Sequence, residues 1–397
     1  MWHRLTGEGF RIFFLGAGVV ALVTMGVWLA YLGGELGALD RLPMPVSQWH
    51  GHELVFGYGG AALGGFFLTA VPNWTGAKAA PHHFIAAVAL VWLMGRLAVS
   101  SSGTLPPVLV AGIDLAFAPI LAAKITTQLL RRPKVQNMVF LWFLVVFWVA
   151  NLRVHLDWIG LDWGDAGTGL AAGLMALAGM IAILGGRVTP AFTRNAMHRA
   201  GIEKGAPRDP KVFTPLTIAL AALVPLGALL APDTAVLAGL AIALGALMAL
   251  RAALWAGGFQ WKHPILWALH VSYASVAFGL ILTGAAQFGL GSPVAAMHLL
   301  AICGVAGMTV AVMSRAALGH SGRPLHAPRG LVMAYWLLPV AGGLRWAAGT
   351  SQGNFMHFEI FAAGLLWCAA YVGFLACLWP ALTQPRLPRA PANAAPD

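Results

Sequence analysis

Charge is what this sequence has least of. Only 9% of the 397 residues are Asp, Glu, Lys or Arg, against 59% hydrophobic, whereas about 25% charged residues is usual for a soluble domain. Apolar runs of about 20 residues recur from end to end, the length needed to cross the hydrocarbon core of a bilayer. The chain therefore reads as an integral membrane protein. Cysteine is scarce too. Cys303, Cys368 and Cys377 all fall inside apolar runs, which excludes a disulfide framework and a CxxC metal site and leaves them as packing residues. Short alternating segments of strand type are missing. There is no basic-aromatic array to suggest nucleic-acid binding and no internal sequence repeat. The net charge of +11 is then a matter of topology and attraction to anionic lipid.

Hydropathy interrupted by turn and charge signals gives an all-α polytopic protein of about twelve spans. They lie at roughly 11–32, 50–71, 83–101, 105–130, 136–156, 167–189, 212–231, 234–255, 264–288, 294–318, 330–350 and 356–380. The first run exceeds the ~7–15 apolar residues of a cleaved signal peptide and reads as a retained span. Together the spans make one transmembrane domain, 1–380, divided six plus six by a charged loop at 187–211. A Pro/Ala-rich tail, 381–397, has nothing to bury and is expected to be disordered. With the N-terminus cytoplasmic, most of the 24 Lys and Arg fall in inside segments, while the outside loops hold Arg41 alone. One miscounted helix would scramble that pattern, so an even number of spans with both termini inside is expected.

With orientation set, each histidine acquires a depth. His50 and His52, with Glu53, open the second span at its outer end. His155 closes the fifth span, His298 opens the tenth and His357 opens the twelfth, all in the outer third of the membrane. His270 lies deeper, about 9 Å from the inner end of the ninth span at 1.5 Å per residue. A histidine near a helix end can reach the interface, which is an ordinary explanation for His357 and for His50 or His155 taken singly. His270 and His298 sit on apolar helices, where an ionisable group is costly and usually has a task. Imidazoles gathered in one layer suit copper, iron or zinc. In "HGHE", positions i and i+2 point to nearly opposite faces at about 100° per residue, so His50 and His52 cannot chelate one ion from a helix. Glu53 is either a partner that orients a ligating imidazole, a proton acceptor, or a carboxylate favoured by the helix N-terminus.

The glycines that follow, Gly57, Gly59, Gly60, Gly64 and Gly65, either let helices approach closely or make room for a planar macrocycle. On the inner side, "GGRVTPAFTRN" carries Arg187, Thr193 and Asn195, and "MSRAALGHSGRPL" carries Arg315, His320 and Arg323. Pro190 is expected to end the sixth span. The clustered donors set topology, form a clamp, or hold an anion. Asp114 and Lys124 share the fourth span, ten residues apart, with no role assigned.

Four blocks, "WHGHELVFGYGGAALGGFFLTAVPNWTG", "GGRVTPAFTRN", "PILWALHVSYA" and "MHLLAICGVAGMTVAVMSRAALGHSGRPL", resemble in sequence and order the signature blocks of the NnrS family, over nearly the whole chain. The resemblance implies a twelve-span bacterial inner-membrane protein containing haem and copper, linked to denitrification and nitric oxide resistance. By position it points to His50, His52, Glu53, His155, Arg187, Pro190, Thr193, Asn195, His270, His298, Arg315, His320, Gly322 and Arg323; His357 lies outside the blocks. A weaker analogy is with the haem–copper oxidase core, which also holds haem and copper by histidines in the outer membrane layer; the motif order differs, and architecture does not transfer function.

The expectation is that His52 faces the bundle as a haem ligand, His50 faces a second centre, and His298, His270 and His155 supply ligands from across the bundle, one site holding copper. Nitric oxide or a related nitrogen oxide would be bound or transformed there, with an electron donor that the sequence does not name. The alternative is a secondary transporter exporting a nitrosylated or metal-linked species, suggested by the six-plus-six layout.

Overall fold

The computed structural model describes residues 1–255 and 257–388, and among these there is no strand. Eleven helices are long and apolar enough to cross a bilayer: α1 (Gly9–Leu32), α2 (Val46–Thr75), α3 (His82–Ser100), α4 (Pro107–Leu129), α5 (Val135–Ile159), α6 (Ala166–Arg199), α7 (Phe213–Leu230), α8 (Ala235–Leu254), α9 (Pro264–Gln287), α10 (Pro293–His320) and α12 (Gly353–Thr383). A twelfth, α11 (Arg329–Ala347), carries an arginine near each end and is less apolar, but it packs along α12 and against α10 in the same bundle. The protein is an all-helical, multi-pass membrane protein.

Local chemistry explains the helix ends. Asp165, Thr234 and Ser292 each cap a helix start by accepting a backbone N–H from the residue three positions on. α2 and α5 end at Gly76 and Gly160, whose φ of 68° and 86° is a left-handed conformation that glycine adopts without strain.

Four helices form the middle. In their most apolar stretches 83% of α6, 72% of α2 and α10 and 67% of α9 are buried, against 33–50% for the other seven candidate spans. Three of these four carry the expected outer or deep histidines. Because lipid is as apolar as the side chains, the helices are held by close packing and interhelical hydrogen bonds. The glycines of α2 serve that packing. A Cβ on Gly65 would lie 2.6 Å from Phe14, on Gly64 3.1 Å from Phe13, and on Gly59 2.8 Å from Leu177. The space beside these three glycines is filled by neighbouring side chains, so this stretch does not clear room for a macrocycle.

Two boundaries differ from the sequence expectation. α6 runs 34 residues, through Pro190 to Arg199, so half of the expected loop at 187–211 is helix. Proline has no N–H for the carbonyl four residues back; that carbonyl, Gly186 O, instead accepts from Arg251 Nη2 at 3.0 Å. Arg251 is itself fixed by Asp209 through two bonds of 3.0 and 2.8 Å. At the other end, α12 continues to Thr383, and Arg11 Nη1 donates to the carbonyls of Ala381, Leu382 and Gln384 at 3.0, 3.2 and 2.9 Å. Leu387 N then bonds Ser321 O at 2.9 Å. The rest of the expected disordered tail, 389–397, lies outside the described residues.

Two stretches depart from α-helical winding. Glu53–Tyr58 in α2 and Leu300–Ala306 in α10 are π-helical. Each begins within two residues of a histidine, His52 and His298 respectively. Wide turns of this kind are rare and concentrate at functional sites.

Substituting Gly65 by Val is expected to destabilise the protein by about 1–3 kcal/mol through overpacking against Phe14, seen as a lower melting temperature in detergent; an unchanged melt would mean that α1 and α2 are not packed as described.

Candidate functional site

Three charged groups from different helices, Arg96, Glu53 and Asp114, meet at one point in the outer half of the bundle. Arg96 on α3 donates to Glu53 Oε1 on α2 at 2.5 Å and is hydrogen-bonded to Asp114 on α4. From α5, His155 Nε2 lies 2.8 Å from Asp114 Oδ2, and Asn151 Nδ2 donates to the same oxygen at 2.8 Å. His52 completes the group. Its Nδ1 is 3.2 Å from Glu53 Oε1, and its Nε2 is 2.9 Å from Asn151 Oδ1 and 3.2 Å from Asp114 Oδ2. Exposure is 0% for His52, 1% for His155, 2% for Glu53 and 3% for Asp114. Trp158 covers both imidazole rings, 5.0 and 5.2 Å from their centroids, and is held by Gln48.

Glycine is required here. A Cβ on Gly57 would lie 2.9 Å from Arg96 Nη1, and the Gly57 carbonyl accepts from Trp92 Nε1 at 2.9 Å. The wide turn of α2 thus receives the guanidinium against bare backbone. Two carboxylates face one guanidinium, leaving one negative charge to be balanced in a low-dielectric setting. Either a protonated His52, both of whose ring nitrogens face acceptor oxygens, or a cation between the imidazoles balances it. His52, Asp114 and His155 each offer one ligand atom, and the three atoms lie within 4.8 Å of one another; two nitrogens with one oxygen are a donor set suited to copper, zinc or iron.

His50 faces away, as i and i+2 positions must. Its ring stacks on Trp28 at 4.7 Å and 24°, and it lines a cavity of about 340 Å³ together with His298, Arg345, Tyr58 and Trp367. Cavities of ~300–1,000 Å³ are typical of small-molecule sites. His50 Nδ1 is buried without a hydrogen-bond partner. His298 Nδ1 is 2.7 Å from the Val294 carbonyl; it must carry the proton there, which leaves Nε2 as the free lone pair a metal ligand needs. Arg345 has no side-chain hydrogen bond or ion pair among the described residues.

His50 and His52 therefore fall on opposite faces of α2, with surroundings that reverse the expected division. His52 is tightly packed and has no room for a macrocycle, whereas the open space is beside His50. His270 joins neither. Its Nε2 is 2.9 Å from Thr193 Oγ1, and its ring meets Trp255 edge-on. The inner polar residues also separate. Arg187 bonds Asn137 at 3.2 Å, Arg323 bonds Gln384 at 2.9 Å, and Asn195 is exposed. Arg315 and His320 share a cavity. His357 is exposed.

A sequence model of the family described as NnrS protein matches residues 4–386. The chain belongs to the NnrS family. The comparison with curated proteins finds no match. NnrS membership makes this a membrane protein related to nitric oxide, of a family associated with haem and metal binding.

Arg96 and Asp114 are the residues that sequence reasoning missed as a pair. The signal was present: opposite charges on consecutive spans, each several residues from an outer end. Replacing Arg96 by Met leaves Glu53 and Asp114 unpaired and is expected to cost about 3–5 kcal/mol, with Arg96→Lys recovering part of it. The check is thermal unfolding of the purified variants, and equal melts for Arg96→Met and wild type would overturn the pairing.

Proposed function

We propose that this NnrS protein is a haem- and copper-binding protein of the bacterial inner membrane that binds or transforms nitric oxide, with its two centres on opposite faces of α2. The observation that carries this reading is the cavity of about 340 Å³ with His50 and His298 on its wall. The residues there suit a haem. His50 has an unpartnered ring nitrogen, His298 is set in the ligating tautomer by Val294, and Arg345 offers an unpaired guanidinium to a carboxylate. Trp28 fixes the plane of the His50 ring. A haem held there by His50 or His298 would supply an iron able to bind nitric oxide.

Across α2, His52, His155 and Asp114 would hold copper. Arg96 fixes one oxygen of Asp114 and leaves the other facing both imidazoles. Glu53 orients His52 through Nδ1, so the acidic residue of "HGHE" acts through the histidine beside it. His270, hydrogen-bonded to Thr193, is outside both centres.

The test is an absorption spectrum of the purified protein, oxidised, reduced and exposed to nitric oxide, with iron and copper quantified in the same sample. His50→Ala and His298→Ala are expected to lose the haem bands and keep copper; His155→Ala should lose copper and keep the haem bands. Glu53→Gln should weaken copper binding by about 10- to 100-fold. A colourless, metal-free protein from haem-replete cells would overturn this reading and favour export of a nitrosylated or metal-linked species through the same cavity.

A further inference from the structure

Three cavities lie along the buried middle of the bundle and share walls. The outer one is the His50 and His298 cavity. Leu177 and Val305 line it and also line a central chamber of about 60 Å³. Phe14, Phe66, Leu184 and Val312 belong both to that chamber and to an inner cavity of about 300 Å³, where Arg315, His320 and Asn73 are found. The shared residues come from α1, α2, α6 and α10, so the series follows the bundle interior from one polar site to the other.

We propose that these cavities form one apolar conduit that carries a small uncharged gas, nitric oxide or dioxygen, between the inner cavity and the outer one. The central chamber selects for that class. Its walls are hydrocarbon, aromatic and thioether side chains apart from one hydroxyl, Thr309. That hydroxyl is already engaged, by Tyr58 and by the Val305 and Ala306 carbonyls at 2.9 and 3.0 Å. An ion entering would lose its hydration with nothing to replace it, and a dry apolar void does not hold water but does admit apolar atoms such as xenon. At about 60 Å³ the chamber has room for molecules of two or three heavy atoms, given that one water occupies about 30 Å³ in the liquid. The void also forfeits dispersion contacts on which a membrane bundle depends, so it is not a by-product of good packing. The conduit stands on cavity geometry, and rests on the haem reading only for what lies at its outer end.

Xenon pressurisation of crystals of the full chain tests it directly. Xenon is expected in the central chamber between Leu184 and Val305, and in neither Leu184→Phe nor Val312→Phe, whose added rings fill the chamber and its inner neck. Xenon confined to the outer and inner cavities of the wild type would overturn the conduit. In the haem-loaded protein the same variants are expected to slow rebinding of flash-released nitric oxide severalfold. Unchanged rebinding in both variants, with melting temperatures retained, would overturn its role as the route of the gas. A protein without haem leaves the xenon experiment intact, so the two readings fail separately.

Discussion

Arg96 is the residue on which the outer half of the bundle depends, because it is the guanidinium that pairs with two carboxylates placed beyond the reach of water. Glu53 and Asp114 come from different helices, and neither could remain charged in hydrocarbon alone. By binding both, Arg96 fixes the rotation of α2, α3 and α4 about their own axes. The rest follows from that rotation. Asp114 then presents its second oxygen to α5, where Asn151 and His155 meet it, and His52 is carried into the same cluster.

Fixing His52 fixes His50 as well, but on the opposite side. A helix cannot turn one of these imidazoles into the charged cluster without turning the other toward the middle of the bundle. The "HGHE" sequence is thereby a divider between two environments, one packed and charged, the other open and mostly apolar. Each environment favours different chemistry: a small cation beside the carboxylates, a large planar group beside the cavity. The π-helical turn directly after His52 widens the helix where Gly57 admits Arg96, and the one in α10 follows His298. Both irregular turns thus adjoin the same two groups of residues.

How much of this was legible in the letters depended on the kind of signal. Span number and fold class were readable because hydropathy and the placement of arginines report them independently. The opposite facing of His50 and His52 was readable because it is a property of helix geometry alone. Which way each faced was not, since α2, α6, α9 and α10 are apolar on nearly every side and give no stripe to set their rotation. His270 illustrates the same limit: its depth followed from counting residues, but its partner, Thr193 on α6, depends on a helix crossing that counting cannot supply. Pro190 misled for another reason. Its freed carbonyl is satisfied by Arg251, which is 61 positions further along the chain and on a different helix.

The position of the open space is the less expected feature. A membrane bundle gains its stability from contact, so cavities ought to fall at its edges, where helices diverge. Here three of them line up along the best-buried helices, while the charged cluster between α2 and α5 has almost none. The arrangement follows if the cluster needs rigidity and the middle needs space. Charges held in hydrocarbon tolerate little displacement, because each lost hydrogen bond leaves a buried ion. Apolar walls tolerate a gap at the lesser cost of dispersion. Placing the ions on one face of α2 and the cavities on the other lets a single helix satisfy both demands, with the glycines after the π-turn holding it close against α1.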